Sequence, residues 1–304
     1  MKRWHLVIDV ARCQGCNNCL MACRDEHAGN EWPRYSRPQS YGSGRWIQLP
    51  CNERGQFPLI DVAYRPTLCT HCSDAPCVVK SGGIMYKRSD GIVMIDPARA
   101  AGRFDLQDAC PYGMISWNDE YGVPQKCTMC AHLLDRGWVK PRCVQACGPG
   151  ALSFRYEDDE VFVERAACEE IETLHAGTVE GTVVGYRNLD RFESCFIAGT
   201  VVVDRGGVVD CAAGAVATLC KGGDGYGAGV EPGADQDPAV GGQAGAALQT
   251  TVTDVFGDFK FDGLPEGSGE YIVTVALEGR PPIERTVRLG VSTSLDTILV
   301  GGDQ

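Results

Sequence analysis

The sequence predicts an α+β chain in two unlike parts: a cysteine-rich N-terminal module of short helices and strands, and an all-β sandwich toward the C-terminal end. Three observations carry this. Seventeen cysteines are spread unevenly over 304 residues, thirteen within 1–150 and four within 151–304. Charge breaks at the same place: residues 1–150 hold 18 Lys/Arg against 14 Asp/Glu, or +4, and the remainder hold 10 against 26, or −16. Beyond residue 195, short apolar runs recur between glycines with an alternation of period two.

The elements follow in order. Val7-Ile8-Asp9-Val10 reads as a strand leading into the first cysteines, and 91–97 reads as another. Helical candidates follow cysteine runs, at 17–26 and 128–134. The rest of this half is loop, as expected where metal supplies much of the stability. Residues 151–194 are rich in charge, with Glu157-Asp158-Asp159-Glu160 and Glu169-Glu170, and read as a solvated connector. Seven strands are expected at 196–203, 215–219, 248–255, 258–261, 271–277, 284–289 and 294–300. In the fifth, Tyr271, Val273, Val275 and Leu277 share one face and Ile272, Thr274 and Ala276 the other, which suits an antiparallel sandwich. The glycine-rich stretch 222–245 reads as a long loop, and it has no Lys–Ser/Thr pair to make a phosphate cradle. The expected domains are 1–160, a connector at 161–194, and the sandwich at 195–304.

Composition removes several classes. With 44% apolar residues the chain is not disordered throughout. Its acidic half speaks against nucleic acid, and the +4 of the other half is suited to balancing bound anionic centres. No window approaches ~18 apolar residues, so no membrane span is expected. No secretory or twin-arginine signal is visible after Met1-Lys2-Arg3, and the expected location is cytoplasmic, although a tightly bound partner with an export signal would carry both.

The cysteines form four groups: Cys13-x2-Cys16-x2-Cys19-x3-Cys23, Cys69-x2-Cys72-x4-Cys77, the single Cys110 before Pro111, and Cys127-x2-Cys130-x12-Cys143-x3-Cys147. The first has the spacing of a bacterial ferredoxin run. Three close thiolates wrap one [4Fe–4S] cube there, and the last holds the neighbouring cube. Zinc sites instead use paired C-x2-C units without a third cysteine at +6. The crossing rule pairs Cys13, Cys16 and Cys19 with Cys147, and Cys127, Cys130 and Cys143 with Cys23. Cys69, Cys72, Cys77 and Cys110 remain as a third set, so three [4Fe–4S] clusters are expected in a tandem ferredoxin-like module.

This pattern resembles the iron–sulfur subunits of the dimethyl sulfoxide reductase superfamily, most of which hold four clusters. The ligands of one are replaced together here, by Ser81, Ala100, Arg103 and Leu106. Longer strings narrow the resemblance. Asp25-Glu26-His27, Asn30-Glu31-Trp32-Pro33, Tyr64-Arg65-Pro66-Thr67, Lys126-Cys127-Thr128-Met129-Cys130 and Gly257-Asp258-Phe259-Lys260-Phe261 resemble the small subunits of the pyrogallol–phloroglucinol transhydroxylase family. The likeness covers nearly the whole chain apart from 222–245. It implies three clusters, an immunoglobulin-like C-terminal domain, and electron transfer for a large molybdopterin subunit carrying a Mo or W bis-pterin and acting on phenolic rings. A soluble redox partner is then expected rather than a membrane quinone pool.

Two other readings stay open at this level: a free polyferredoxin, and the iron–sulfur subunit of a formate, nitrate or sulfoxide enzyme. No catalytic residue is expected in this chain. His71 and His132 flank ligands but are not needed to complete the sets. Cys51, Cys168, Cys195, Cys211 and Cys220 are surplus thiols. Trp4, Trp32, Trp46 and Tyr112 are expected to pack around clusters or at a partner face.

Overall fold

In the computed structural model, residues 1–57, 59–174, 182–222 and 246–301 are described. The 222–245 loop therefore lies outside the described residues, apart from Gly222. The chain divides into two compact units, one of Met1–Asn52 with Ala63–Phe192, the other of Glu53–Val62 with Glu193–Gln304.

The first unit is organised by the strand Lys2–Asp9. It runs antiparallel to Leu152–Asp158, with Leu6 opposite Phe154, and parallel to Val184–Arg187, with Leu6 opposite Val184. The central strand is longer than its apolar run suggested, because pairing on both edges satisfies its backbone through the charged start. The stretch read as a connector contributes two of these strands' neighbours: Val184–Arg187 itself and the helix Asp159–Cys168. Asp159 and Glu160 occupy that helix's first turn, where the macrodipole favours acid. Phe162 and Ala166 pack from it against Val7 and Ile171.

The sheet's inner residues do not meet a purely hydrocarbon core. Leu6, Ile8, Val10, Trp46, Met129 and Tyr186 share one buried cluster with Cys19, Cys23, Cys69, Cys127 and Cys143. Three two-stranded hairpins complete the unit: Ile47–Gln48 with Thr67–Leu68, Met85–Lys87 with Val93–Ile95, and Ser116–Asn118 with Val123–Gln125. The helix Asn18–His27 forms close to where the sequence places it. The second candidate shortens to Ala131–Leu134, because Met129 and Cys130 take positive φ (52° and 50°) and no helix runs through left-handed residues.

In the second unit, Cys195–Asp204 is the spine of a five-stranded sheet. It pairs with Val209–Cys211 and Asp258–Leu264 antiparallel, and with Thr293–Ser294 and Ile298–Val300 parallel. A four-stranded antiparallel sheet runs Ala247–Val252, Val216–Lys221, Gly269–Ala276, Ile283–Leu289. Phe259, Phe261, Ile197 and Val201 of one sheet and Leu219, Tyr271, Val273 and Val275 of the other lie in a single core. The alternation read from 271–277 holds, with Tyr271, Val273 and Val275 buried between partly exposed Ile272 and Thr274. The sequence reading missed Val209–Cys211, and its seventh strand is two short pieces.

The 53–62 segment also belongs to this unit, although it lies amid the cysteine groups in sequence. Gly55 sits at φ +88, where a Cβ would meet the Leu59 carbonyl and the Phe196 ring. Arg54, 4% exposed, forms ion pairs with Asp61 and Asp262, and Lys260 joins both carboxylates.

Candidate metal centres

All seventeen cysteines are free. Cys13, Cys16, Cys19 and Cys147 line one cavity, with Pro66, Pro149 and Leu152 as its apolar wall. Gly15 makes the first loop feasible: at φ +66 its Cα lies against the Tyr64 ring, which an added Cβ would strike at 2.5 Å. Asn17, at φ +60, then turns the chain into the helix that carries Cys19 and Cys23.

Cys23 leaves that set. It is buried with Cys127, Cys130 and Cys19 near it, and Cys143 has Cys130, Cys127, Cys23 and Cys19 around it. The helix Arg142–Gln145 carries Cys143 inward, and Cys147 lies one turn beyond, against the first set. Cys69, Cys72, Cys77 and Cys110 line a third cavity together with His71, Val93, Tyr112 and Lys126.

The donor sets fit anionic sulfur. Backbone N–H groups point at the thiols: Gly15 at Cys13, Leu20 at Cys19, Tyr112 and Met114 at Cys110, and Arg142 at Cys130. The Met129 N–H reaches Cys127 Sγ at 3.4 Å. Such bonds stabilise thiolate over thiol. Burial acts the other way. It pushes Cys19, Cys77 and Cys127 up to about 11 and Cys130 to about 12, and Cys23 and Cys143 well above the ordinary range. Buried thiols with preset donors therefore release their protons only to a metal centre that takes their charge.

Among the described residues, no three His, Cys, Asp or Glu side chains close around a point that one ion would fill. Tetrahedral zinc, with Zn–S near ~2.3 Å, needs sulfurs within roughly 4 Å of one another. A cubane instead takes one thiolate at each of its four iron corners, and a set of four thiols around one cavity suits a [4Fe–4S] cluster. Bound there, a cluster supplies one-electron storage and relay.

The replaced fourth set is closed by ordinary packing. Ala100 and Leu106 are buried with Met85, Ile95, Ala109 and Ile115. The Ser81 hydroxyl donates to the Val78 carbonyl at 2.8 Å and accepts from the Met85 N–H at 2.9 Å. Arg103 turns outward and forks on Asp105 at 2.7 and 2.6 Å.

Other flagged residues have structural partners. His71 is fully buried and accepts the Val93 N–H on Nδ1 at 2.9 Å, which places its proton on Nε2. His132 meets Glu26 at 2.9 Å and stacks on Trp32 at 4.1 Å. Trp46 packs on His27 at 4.4 Å, and His27 Nε2 lies 3.9 Å from Cys130 Sγ. Trp4 stacks on Phe154 at 4.9 Å across the first sheet. Of the surplus cysteines, Cys51, Cys168 and Cys211 are exposed and Cys195 and Cys220 are buried. Lys126, buried at the third cavity, was not singled out as a site residue; its place beside Cys127 was the only signal.

Fold and site together define an iron–sulfur electron-transfer subunit that binds [4Fe–4S] clusters. Residues 60–176 match the family described as a 4Fe-4S dicluster domain. The chain is 40% identical over 283 residues, 92% of its length and 93% of the relative's, to the pyrogallol hydroxytransferase small subunit of Pelobacter acidigallici. It is 33% identical, over 53% of this chain and 68% of the other, to a putative iron-sulfur subunit of dimethyl sulfoxide reductase from Halobacterium salinarum. It is 29% identical, over 48% of this chain and 78% of the other, to the arsenate respiratory reductase iron-sulfur subunit of a Shewanella strain. The chain belongs to the family of the pyrogallol hydroxytransferase small subunit. It is thus a non-catalytic, electron-transferring subunit of a molybdopterin enzyme. No helix among the described residues is long and apolar enough to cross a membrane.

Proposed function

We propose that this chain holds three [4Fe–4S] clusters and relays electrons for a large subunit that carries a Mo or W bis-pterin and acts on polyhydroxylated aromatic rings. Cys13, Cys16, Cys19 and Cys147 would hold the first cluster, Cys23, Cys127, Cys130 and Cys143 the second, and Cys69, Cys72, Cys77 and Cys110 the third. The observation that carries the reading is the collection of these twelve thiols, from four separate groups, into three sets of four. The closed packing around Ser81, Ala100 and Leu106 supports a count of three over four.

The N-terminal part is proposed as a tandem ferredoxin-like module over 1–160; the 161–194 stretch, expected as a connector, supplies Val184–Arg187 to the same unit's sheet. The part from 195 on is proposed as an immunoglobulin-like or carboxypeptidase-regulatory-like sandwich that docks on the large subunit of a cytoplasmic heterodimer. The aromatic substrate class rests on the 40% identity to a pyrogallol hydroxytransferase subunit. Within that class we favour a net hydroxylation or dehydroxylation that exchanges electrons with a soluble partner, because a full ligand set at all three sites suggests use.

The test is turnover by the anaerobically purified complex on di- and trihydroxybenzenes, with and without an artificial electron donor or acceptor. Conversion that depends on the redox mediator supports the reading. Full-rate conversion with only a phenolic co-substrate makes the enzyme a transhydroxylase. A chain that purifies alone, with no large pterin subunit, is a free polyferredoxin.

A further inference from the structure

A buried ammonium stands at the third thiol set. Lys126 is 3% exposed and its ammonium lies at the cavity lined by Cys69, Cys72, Cys77 and Cys110. Its Nζ donates to the Val93 carbonyl at 2.5 Å and to the Cys127 carbonyl at 3.0 Å. Among the described residues, no carboxylate stands within ion-pair distance of it. A buried ammonium with only carbonyl acceptors is costly unless an anion lies nearby.

The anion is identified by the geometry. Lys126 precedes Cys127, which belongs to the second set, and its side chain reaches the cavity of the third. Cys127 and Cys69 are themselves near enough to influence each other. Lys126 therefore stands at the junction of two sets. A [4Fe–4S] core with four thiolates carries a net charge of about −2 when oxidised and about −3 when reduced.

Val93 fixes the position. Its N–H is held by His71 Nδ1 and its C=O by Lys126 Nζ, so one residue of the strand Val93–Ile95 ties both side chains at the cavity wall. His71 is buried with a neutral ring and contributes no compensating charge. Lys87, bonded to the Cys72 carbonyl at 2.8 Å, is a second cation at this set, but it is partly exposed and solvent screens it.

We infer that Lys126 is a positioning and tuning residue whose positive charge raises the reduction potential of the third cluster. A cation near a cluster stabilises the more negative, reduced form, and in a dry interior the effect is large. The inference rests on the assignment of Cys69, Cys72, Cys77 and Cys110 to a cluster.

The test is an anaerobic redox titration of the complex followed by electron paramagnetic resonance, with Lys126→Met, Lys126→Gln and Lys126→Arg beside the wild type. The third cluster's signal is first identified as the one altered in Cys110→Ser. With iron content unchanged, Lys126→Met and Lys126→Gln should shift that potential to more negative values. Lys126→Arg, which keeps the charge, should leave it near wild type. An unshifted potential in the two neutral variants overturns the inference and leaves the cluster assignment intact. Loss of the third cluster's iron in both, with retention in Lys126→Arg, makes the role structural and equally overturns it. A wild type with no signal sensitive to Cys110→Ser instead sinks the assignment itself.

Discussion

Arg54 and Asp262, 208 residues apart in sequence, grip each other at two points, Nη1 to Oδ1 at 2.8 Å and Nη2 to Oδ2 at 3.0 Å. Arg54 also bonds Asp61 and the Ser194 carbonyl, and its guanidinium lies 5.4 Å over the Phe196 ring. One side chain thus ties the 53–62 segment to two strands of the C-terminal unit. Removing it takes the guanidinium away from two half-buried carboxylates, Asp61 and Asp262. Arg54→Ala should therefore destabilise that unit by about 2–4 kcal/mol. Faster amide exchange in the strand Asp258–Leu264 would register the loss, and unchanged exchange would count against a structural role for the pair.

The same pair sets an acid limit. Burial alone would raise the Asp262 carboxyl, but hydrogen bonds from Arg54 and Lys260 overcome this and hold it below its ordinary value. A depressed carboxyl contributes stability that is complete above its unfolded value near ~3.9 and is lost as pH falls through the lower, folded one. Exchange protection of Asp258–Leu264 should fall below about pH 4 in the wild type. Asp262→Asn should flatten that dependence; an equally steep fall in the variant would place the acid sensitivity elsewhere.

His5 gives the first unit a milder and earlier limit. It lies stacked on Phe162 at 3.9 Å, and burial lowers it to about 4 despite Glu157 and Asp159 nearby. The fold thus favours the neutral ring. Between pH 6.5 and about 4 the unfolded chain binds a proton that the folded one refuses, so stability declines as pH falls through that window. His5→Gln should remove the slope in amide exchange of the helix Asp159–Cys168, whereas a titrating shift retained without His5 would refute its role.

Packing at the closed fourth site is testable by a cavity. Leu106 is 1% exposed. Leu106→Ala should cost about 2–4 kcal/mol of stability while leaving iron content unchanged. A gain or loss of about four irons per chain would show that the position still bears on cluster binding.

The iron–sulfur character was legible because cluster ligation is written in short spacings: Cys13 to Cys23 fall within one loop and one helix. The alternation at Tyr271, Val273 and Val275 was legible because a half-buried strand repeats every two residues. What escaped depends on contacts made far along the chain. Nothing local marks Arg54 as a partner of Asp262, so the 53–62 segment was not assigned to the C-terminal unit. Glu157 to Glu160 looked like a solvated face, but Glu157 pairs with Arg165, and Asp159 opens a helix whose Phe162 is buried. Met129 and Cys130 broke the expected helix because a loop shaped to present thiols outweighs propensity.

Crossed ligation is the next point. Cys147→Ser should disturb the cluster held by Cys13, Cys16 and Cys19, beside which Cys147 lies, and not the one holding its helix neighbour Cys143. Cys51→Ser should disturb none. Spectra in which Cys147→Ser alters the signals lost in Cys143→Ser would reverse the pairing.

The central claim, three cubane clusters on twelve thiols, is tested most directly by metal and sulfide analysis of the anaerobically purified complex, counted per copy of this chain after subtraction of iron bound by the separated large subunit. The account predicts about 12 iron and 12 acid-labile sulfide. A reproducible value near about 8 or 16, or zinc in place of iron, would contradict it.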